Sequence, residues 1–303
     1  MFRYRRILVP LDGSTLAEHA LPLAQTLARA MAAELILLQV VVPLPLPVHL
    51  GPEEGIDRSR REEADRYLAA VAAGLQDGTR VRVERLVGPA AQQIVHFAQD
   101  NEVDLIVMSS HGRSGISRWV HGSVTTRVLR QAPCSTAVVH VNDPPPGGAL
   151  QRVLLPLDGS EAAEAAIAPA AAIARATGAQ LVLLAVTFSL GEQGPALYRH
   201  HLEQIERQEA RRQQAYLENV SASLAAPDLP VQTALVTGTP AEQILAYAEE
   251  NAIDLIMLAS HGRSGLERWA FGSVAEKVVQ GTGRAALVVR SGHRHQQADT
   301  VER

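Results

Sequence analysis

The sequence predicts an α/β protein built from two tandem doubly wound, Rossmann-like domains, each an open five-stranded parallel sheet with helices on both faces. Two observations carry this prediction. Short apolar runs alternate along the chain with amphipathic or alanine-rich segments, which is typical of parallel strands joined by crossover helices. The second half also repeats the first, because LVPLDGS at 8–14 returns as LLPLDGS at 154–160 and SHGRSG at 110–115 returns at 260–265.

The chain has 303 residues, a length that usually divides into two domains with a core each. The stretch NDPPPGGALQ is rich in proline and glycine and cannot continue a helix or strand, so it reads as an extended linker. We therefore predict a first domain at 1–141, a linker at 142–151, a second domain at 152–291 and a polar tail at 292–303.

The elements follow in the same order in both copies. A first strand ends at Asp-Gly-Ser, and an alanine-rich helix capped by Ser14 or Ser160 comes next. Continuous apolar runs then indicate strands buried on both faces, and charged helices are predicted near 57–75 and 197–224. The predicted strands are Arg6–Leu11, Glu34–Val42, Arg80–Val87, Val103–Met108 and Ser135–Val141, then Arg152–Leu157, Gln180–Thr187, Val231–Val236, Ile253–Leu258 and Ala285–Arg290.

The third predicted helix of each copy shows helical spacing of apolar residues, and the last helix opens at Ser123 or Ser273. The residues predicted on the apolar faces are Ala91, Ile94, Val95 and Ala98, and Ala241, Ile244, Leu245 and Ala248.

Composition excludes several classes of protein. Charge is mixed with a net value of −4, and aromatic residues make up 4%, so neither a basic nucleic-acid surface nor a base-stacking platform is indicated. The single cysteine, Cys134, fits a reducing compartment and a buried position. The most apolar stretch, 35–50, is short and interrupted by prolines, so we predict a cytoplasmic protein without membrane or nucleic-acid partners.

The repeated polar segment suggests a ligand site. In a doubly wound sheet, ligands bind beyond the carboxyl ends of strands where strand order reverses, and both Asp12 and the segment 109–123 follow strand ends. Gly112 and Gly122 would permit close approach of a ligand or a positive φ, and Ser123 opens a helix whose N–H groups favour an anion. His111 and Arg113 could add charge, while Asp12 could accept from a ribose hydroxyl or hold a divalent cation through water.

The residue spacing does not match three familiar motifs. The sequence contains no P-loop, no dinucleotide fingerprint after the first strand and no nucleophile elbow. His200 and His201 are adjacent on a predicted helix and cannot face one metal together, and His293 and His295 lie in the polar tail.

The pattern VPLDGS, then SHGRSG, then GSV, present in both halves, resembles the universal stress protein family in its tandem form. That family's nucleotide signature is G-x-x-G, nine residues, then G-[ST], and it is matched from Gly112 to Gly122-Ser123 and from Gly262 to Gly272-Ser273. The first glycine of the signature is replaced by Ser109 in one copy and by Ala259 in the other.

The resemblance implies an ATP site in each domain, with Mg²⁺ as a possible companion held through water by Asp12 or Asp158. It also implies that the runs 137–139 and 287–289 pair across a pseudo-twofold axis, so that the domains form an intrachain pseudo-dimer, and it allows a homodimer. The implied nucleotide-contacting residues are Pro10, Leu11, Asp12, Val40, Ser109, His111, Gly112, Arg113, Gly122, Ser123, Val124 and Thr125, and Pro156, Leu157, Asp158, Val186, Ala259, His261, Gly262, Arg263, Gly272, Ser273, Val274 and Ala275.

Several of these site residues also have a purely structural explanation. Asp-Gly-Ser after a strand is an ordinary turn that caps the next helix, Gly122-Ser123 is also a common helix start, and His111 could simply orient its loop. Our hypothesis is an ATP-binding stress or signalling protein in which the nucleotide is a regulatory ligand and the chain is not an enzyme. The alternatives are a slow divalent-metal-dependent ATPase or phosphotransferase, and an interaction scaffold without nucleotide.

Overall fold

The computed structural model describes residues 2–43, 58–75, 78–110, 122–140, 150–189, 199–260 and 272–290. The chain divides into two compact units, with the division between Gly148 and Ala149. Most of the predicted linker, 142–149, and the predicted tail lie outside the described residues.

The first unit alternates strands and helices from its start. Its described elements are β1 (Arg6–Leu11), α1 (Thr15–Glu18), α2 (Leu21–Met31), β2 (Glu34–Val41), α3 (Arg58–Gly74), β3 (Arg80–Val87), α4 (Ala90–Asp100), β4 (Leu105–Ser109), α5 (Ser123–Gln131) and β5 (Ser135–Val139).

The second unit repeats this order. Its described elements are β6 (Arg152–Pro156), α6 (Glu161–Glu164), α7 (Ile167–Thr177), β7 (Gln180–Thr187), α8 (Arg199–Leu224), β8 (Val231–Thr237), α9 (Pro240–Glu250), β9 (Leu255–Ala259), α10 (Ser273–Gly281) and β10 (Ala285–Val289).

Within the first unit the strand order is β3-β2-β1-β4-β5, and within the second it is β8-β7-β6-β9-β10. The paired strands inside each unit run parallel. This confirms the predicted fold, in which strand order reverses between β1 and β4, and again between β6 and β9.

One detail of the prediction was wrong, because the single alanine-rich helix of each copy is two helices in the structure. Pro22 and Pro169 lie in the first turn of the longer helix in each pair. A proline lacks the N–H that would continue the preceding helix, but it fits a first turn, whose N–H groups have no partner within the helix. Ser14 and Ser160 cap the short helices as predicted.

One core cluster of the first unit lies on the sheet face covered by α4 and α5, where Leu8, Ile36 and Ile106 are fully buried. The fourth helix contributes Ala91, Ile94 and Ala98 as predicted, but Phe97 is buried where Val95 was expected. Cys134 is buried in the same cluster, as its sequence context indicated.

A repeated aspartate fixes the start of the central strands. The Oδ2 of Asp104 accepts hydrogen bonds from the N–H groups of Arg5 at 2.7 Å and Arg6 at 2.9 Å, so it ties β4 to β1. In the second unit Asp254 accepts from Gln151 and Arg152, both at 2.8 Å. This structural role explains the aspartate at the head of the repeated DLI segment.

Candidate functional site

The predicted site residues that the structure describes lie at one edge of each sheet, where strand order reverses. β1 pairs with β4 at Ile7–Leu105 and Leu8–Ile106, and continuing that register places Leu11 beside Ser109. Asp12 therefore follows β1 at the point where the segment after β4 begins. The pairing of Val153 with Leu255 sets up the same arrangement in the second unit, where Pro156 ends β6 and Leu157 and Asp158 follow.

Asp12 closes a turn at the end of β1. Its Oδ1 accepts from the Ser14 N–H at 3.0 Å and from the Ser14 hydroxyl at 2.6 Å, and the Ser14 Oγ in turn accepts from the Ala17 N–H at 3.2 Å. The structure thus shows the plainer role of this aspartate, as a turn residue that orients a helix cap.

Asp158 repeats these contacts. Its Oδ1 accepts from the Ser160 N–H at 3.0 Å and the Ser160 hydroxyl at 2.6 Å. The two copies therefore hold their aspartates at the sheet edge in the same way.

The segment after β4 is closed at its base by the backbone. The Gly122 N–H donates to the Ser110 carbonyl at 3.0 Å, and the Ser110 N–H donates to the Val139 carbonyl at 2.8 Å. In the second unit Gly272 donates to Ser260 at 2.9 Å. The predicted contacts His111, Gly112 and Arg113, with their counterparts His261, Gly262 and Arg263, lie between these bonded ends and outside the described residues.

Ser109 and Ala259 end β4 and β9 in place of the first signature glycine. Ser109 is buried, and its carbonyl accepts from the Thr125 hydroxyl at 3.1 Å. Position 275 in the second unit is an alanine, which has no hydroxyl to form this bond.

Gly122 and Gly272 are the N-cap residues of α5 and α10. Their φ values are −55° and −60°, so of the two uses predicted for Gly122, the structure does not show a positive φ. A Cβ on Gly122 would lie 3.6 Å from the Ser110 carbonyl oxygen, which is ordinary contact. Neither strain nor crowding among the described residues therefore requires a glycine here, and close approach of a ligand is the remaining explanation from the sequence.

The other predicted site residues in the first turns of α5 and α10 differ in how far they are buried. Ser123 and Ser273 are exposed, whereas Thr125 and Ala275 are buried beneath the first turn. Val124 packs against the core and Val274 is exposed.

Val40 and Val186 lie near the ends of the second strands. β1 is paired with β2 only as far as Leu11 and Gln39, whereas β2 continues beside β3 through Val40. In the second unit, β7 likewise continues beside β8 past the last pair with β6. The backbone at both valines thus extends beyond the central strand, at the edge where Asp12 or Asp158 lies.

The sequence analysis did not identify one residue near the second site, Tyr216. The Tyr216 hydroxyl on α8 donates to Glu164 Oε1 at 3.0 Å. Burial, that hydrogen bond, and the negative charges of Glu164 and Asp158 raise the pKa of Tyr216. One sequence signal could have drawn attention to Tyr216. A Tyr-Leu pair occurs at 67–68 and again at 216–217, although the two helices otherwise differ in sequence.

Among the described residues, no group of three or more His, Cys, Asp or Glu side chains could hold a metal ion. In the part of the chain that the structure describes, no helix is both long enough and apolar enough to cross a membrane.

Comparison with known proteins gives consistent matches. The sequence profile of the Universal stress protein family matches residues 3–140 and 149–290. Universal stress protein MJ0531 of Methanocaldococcus jannaschii is 35% identical over 140 residues, which cover 45% of this chain and 82% of that protein. Universal stress protein Rv2005c of Mycobacterium tuberculosis is 28% identical over 297 residues, which cover 94% of this chain and 96% of that protein.

The fold is also found among solved structures. The crystal structure of a universal stress protein from Archaeoglobus fulgidus matches with a TM-score of 0.73 at 22% identity, over 96% of this chain and 100% of that chain.

Proposed function

The chain belongs to the universal stress protein family in its tandem form, and on this premise we propose that each unit binds ATP as a regulatory ligand that is not turned over. The observation that carries the proposal is a glycine-capped helix start, hydrogen-bonded to the end of β4 or β9, at the sheet edge that also holds Asp12 or Asp158.

A helix start of this kind favours a phosphate group. The first intrahelical bond of α5 runs from the Thr126 N–H to the Gly122 carbonyl at 3.0 Å, so the three preceding N–H groups have no partner within the helix. Glycine has no side chain to accept from them, unlike the serine that caps α1. The helix dipole adds a partial positive charge at the same place, which supports binding of a triphosphate.

The other end of the nucleotide would lie toward β2. The backbone at Val40 lies beyond the end of β1, beside the Asp12 turn, so an adenine and a ribose would find backbone and carboxylate partners along one edge. Gly112 and Arg113 are added to this proposal through their match to the family signature. Mg²⁺ would be held between the phosphates and Asp12 through water, because Mg²⁺ commonly takes few protein ligands beside substrate phosphates.

The test is equilibrium dialysis of the full chain with ATP, comparing wild type with the double variant Gly122→Val and Gly272→Val. We expect wild type to bind ATP and the double variant to lose binding, because each valine would occupy the space in front of the phosphate-binding N–H groups. A Cβ on Gly122 would make only ordinary contacts with its described neighbours, at 3.6 Å or more, so we expect the Gly122→Val protein to fold. Unchanged binding in the double variant would overturn the proposal.

Gly283→Val is the matched control. A Cβ on Gly283 would meet nothing within 4 Å, and this glycine precedes β10, at the edge of the sheet opposite the site. The control should therefore bind ATP as wild type does.

Two further outcomes would favour the alternatives. Steady release of ADP by wild type, abolished in Asp12→Ala with Asp158→Ala, would indicate a slow metal-dependent ATPase. Absence of ATP binding, together with no ultraviolet-absorbing nucleotide released when the purified protein is denatured, would indicate an interaction scaffold.

A further inference from the structure

We propose that the two nucleotide sites are unequal, with the first unit binding ATP about ten-fold more tightly than the second because Thr125 orders the first site and Glu276 opposes phosphate at the second. This inference rests on the proposed ATP binding and adds to it which site fills first.

The first difference is an additional hydrogen bond in the first unit. Both units join the end of the fourth strand to the last helix through backbone, by Gly122 to Ser110 at 3.0 Å and by Gly272 to Ser260 at 2.9 Å. The first unit adds a side-chain bond from the Thr125 hydroxyl to the Ser109 carbonyl at 3.1 Å, which Ala275, the counterpart of Thr125, has no hydroxyl to form.

This bond lies directly beneath the helix start. Thr125 is only 3% exposed, so its hydroxyl bond is shielded from competing water. The bond fixes the first turn of α5 relative to the end of β4 before any ligand arrives. Such preorganisation raises affinity because less conformational freedom is lost on binding. Ala275, equally well buried in the second unit, cannot provide it.

The second difference is charge. The first turn of α5 carries no acidic residue, whereas Glu276 lies in the first turn of α10. Its N–H donates to the carbonyl of the N-cap Gly272 at 2.8 Å, which fixes its position one turn into the helix. A carboxylate at a helix N-terminus interacts favourably with the helix dipole, so it competes with a phosphate for that interaction. The two negative charges also repel each other.

The experiment uses variants with one site closed. Gly272→Val leaves the first site open and Gly122→Val leaves the second open, and calorimetric titration with ATP gives one Kd for each. We expect the Kd of the first site to be about ten-fold lower than that of the second. Equal constants would overturn the inference while leaving ATP binding intact. Absence of binding to wild type would overturn the proposed function and the inference with it.

Residue exchange assigns the difference to these positions. In Gly122→Val protein, the added changes Ala275→Thr and Glu276→Thr copy the start of α5 and should tighten the second site about ten-fold. In Gly272→Val protein, Thr125→Ala should weaken the first site, whereas Thr125→Ser, which keeps the hydroxyl, should restore most of the affinity. No gain at the second site in the first exchange would contradict the assignment.

Glu249→Thr is the matched charge control. It removes the same charge from the same unit, at the exposed carboxyl-terminal end of α9. The Kd of the second site should not change in this variant. An equal gain from Glu249→Thr and Glu276→Thr would show that net charge, and not the position at the helix start, sets the affinity, and would overturn the role given to Glu276.

Discussion

Replacing Asp12 with alanine tests whether the repeated Asp-Gly-Ser turn supports the fold as well as the site. The change removes the acceptor for the Ser14 N–H at 3.0 Å and the Ser14 hydroxyl at 2.6 Å. The Ser14 side chain then loses the partner that orients its Oγ toward the Ala17 N–H. Asp12→Asn is the matched variant, because it keeps an oxygen at the same position and removes only the charge.

The expected loss follows from these contacts. Hydrogen bonds to a charged group are worth about 1.5–3 kcal/mol each when buried. Asp12 is only partly buried, so water recovers part of that energy. We therefore expect Asp12→Ala to lower the free energy of unfolding of the first unit by about 1–2 kcal/mol, and Asp12→Asn by less than about half of that. For a unit of this size, each kcal/mol corresponds to a decrease in Tm of about 2–4 °C.

The assay is urea and thermal unfolding followed by circular dichroism, without nucleotide. Asp158→Ala should lose a similar amount, because its two hydrogen-bond distances are the same. Wild-type stability in Asp12→Ala would refute the turn-and-cap role. Equal losses in Asp12→Ala and Asp12→Asn would show that charge, and not the position of the acceptor, stabilises the turn.

Two further predictions concern stability. Ala32 ends α2 in the left-handed region at φ 48°, where its counterpart at the end of α7 is Gly178 at φ 72°. Ala32→Gly should therefore stabilise the first unit and Gly178→Ala destabilise the second, each by about 0.5–1 kcal/mol in urea unfolding, and opposite signs would contradict this. The pKa of Tyr216 is raised above its ordinary value of 10.0 in the folded chain, so its contribution to stability is present below that pH and is lost as pH rises. Above about pH 10, wild type should lose stability more steeply with rising pH than Tyr216→Phe in urea titrations, and parallel slopes would contradict this.

Much of the fold could be predicted because its signals are local. Alternation of apolar runs with helical segments, and the duplicated LVPLDGS and SHGRSG, were sufficient for the parallel sheets and their helices. The caps at Ser14 and Ser160 were also predictable, since capping depends on residues within one turn. The break before α2 was missed because a proline early in an alanine-rich run is compatible with one helix or with two.

The site divides in the same way. By itself, the sequence determined which residue types follow the strand ends and that both copies carry them, because strand ends and glycine spacing are local features of the sequence. Only the tertiary structure decided that the Asp12 carboxylate binds Ser14, that Thr125 closes onto Ser109, and that Tyr216 reaches Glu164. These contacts join residues on different elements or depend on one rotamer. They are set by strand order, register and packing, and therefore cannot be predicted from a local sequence pattern.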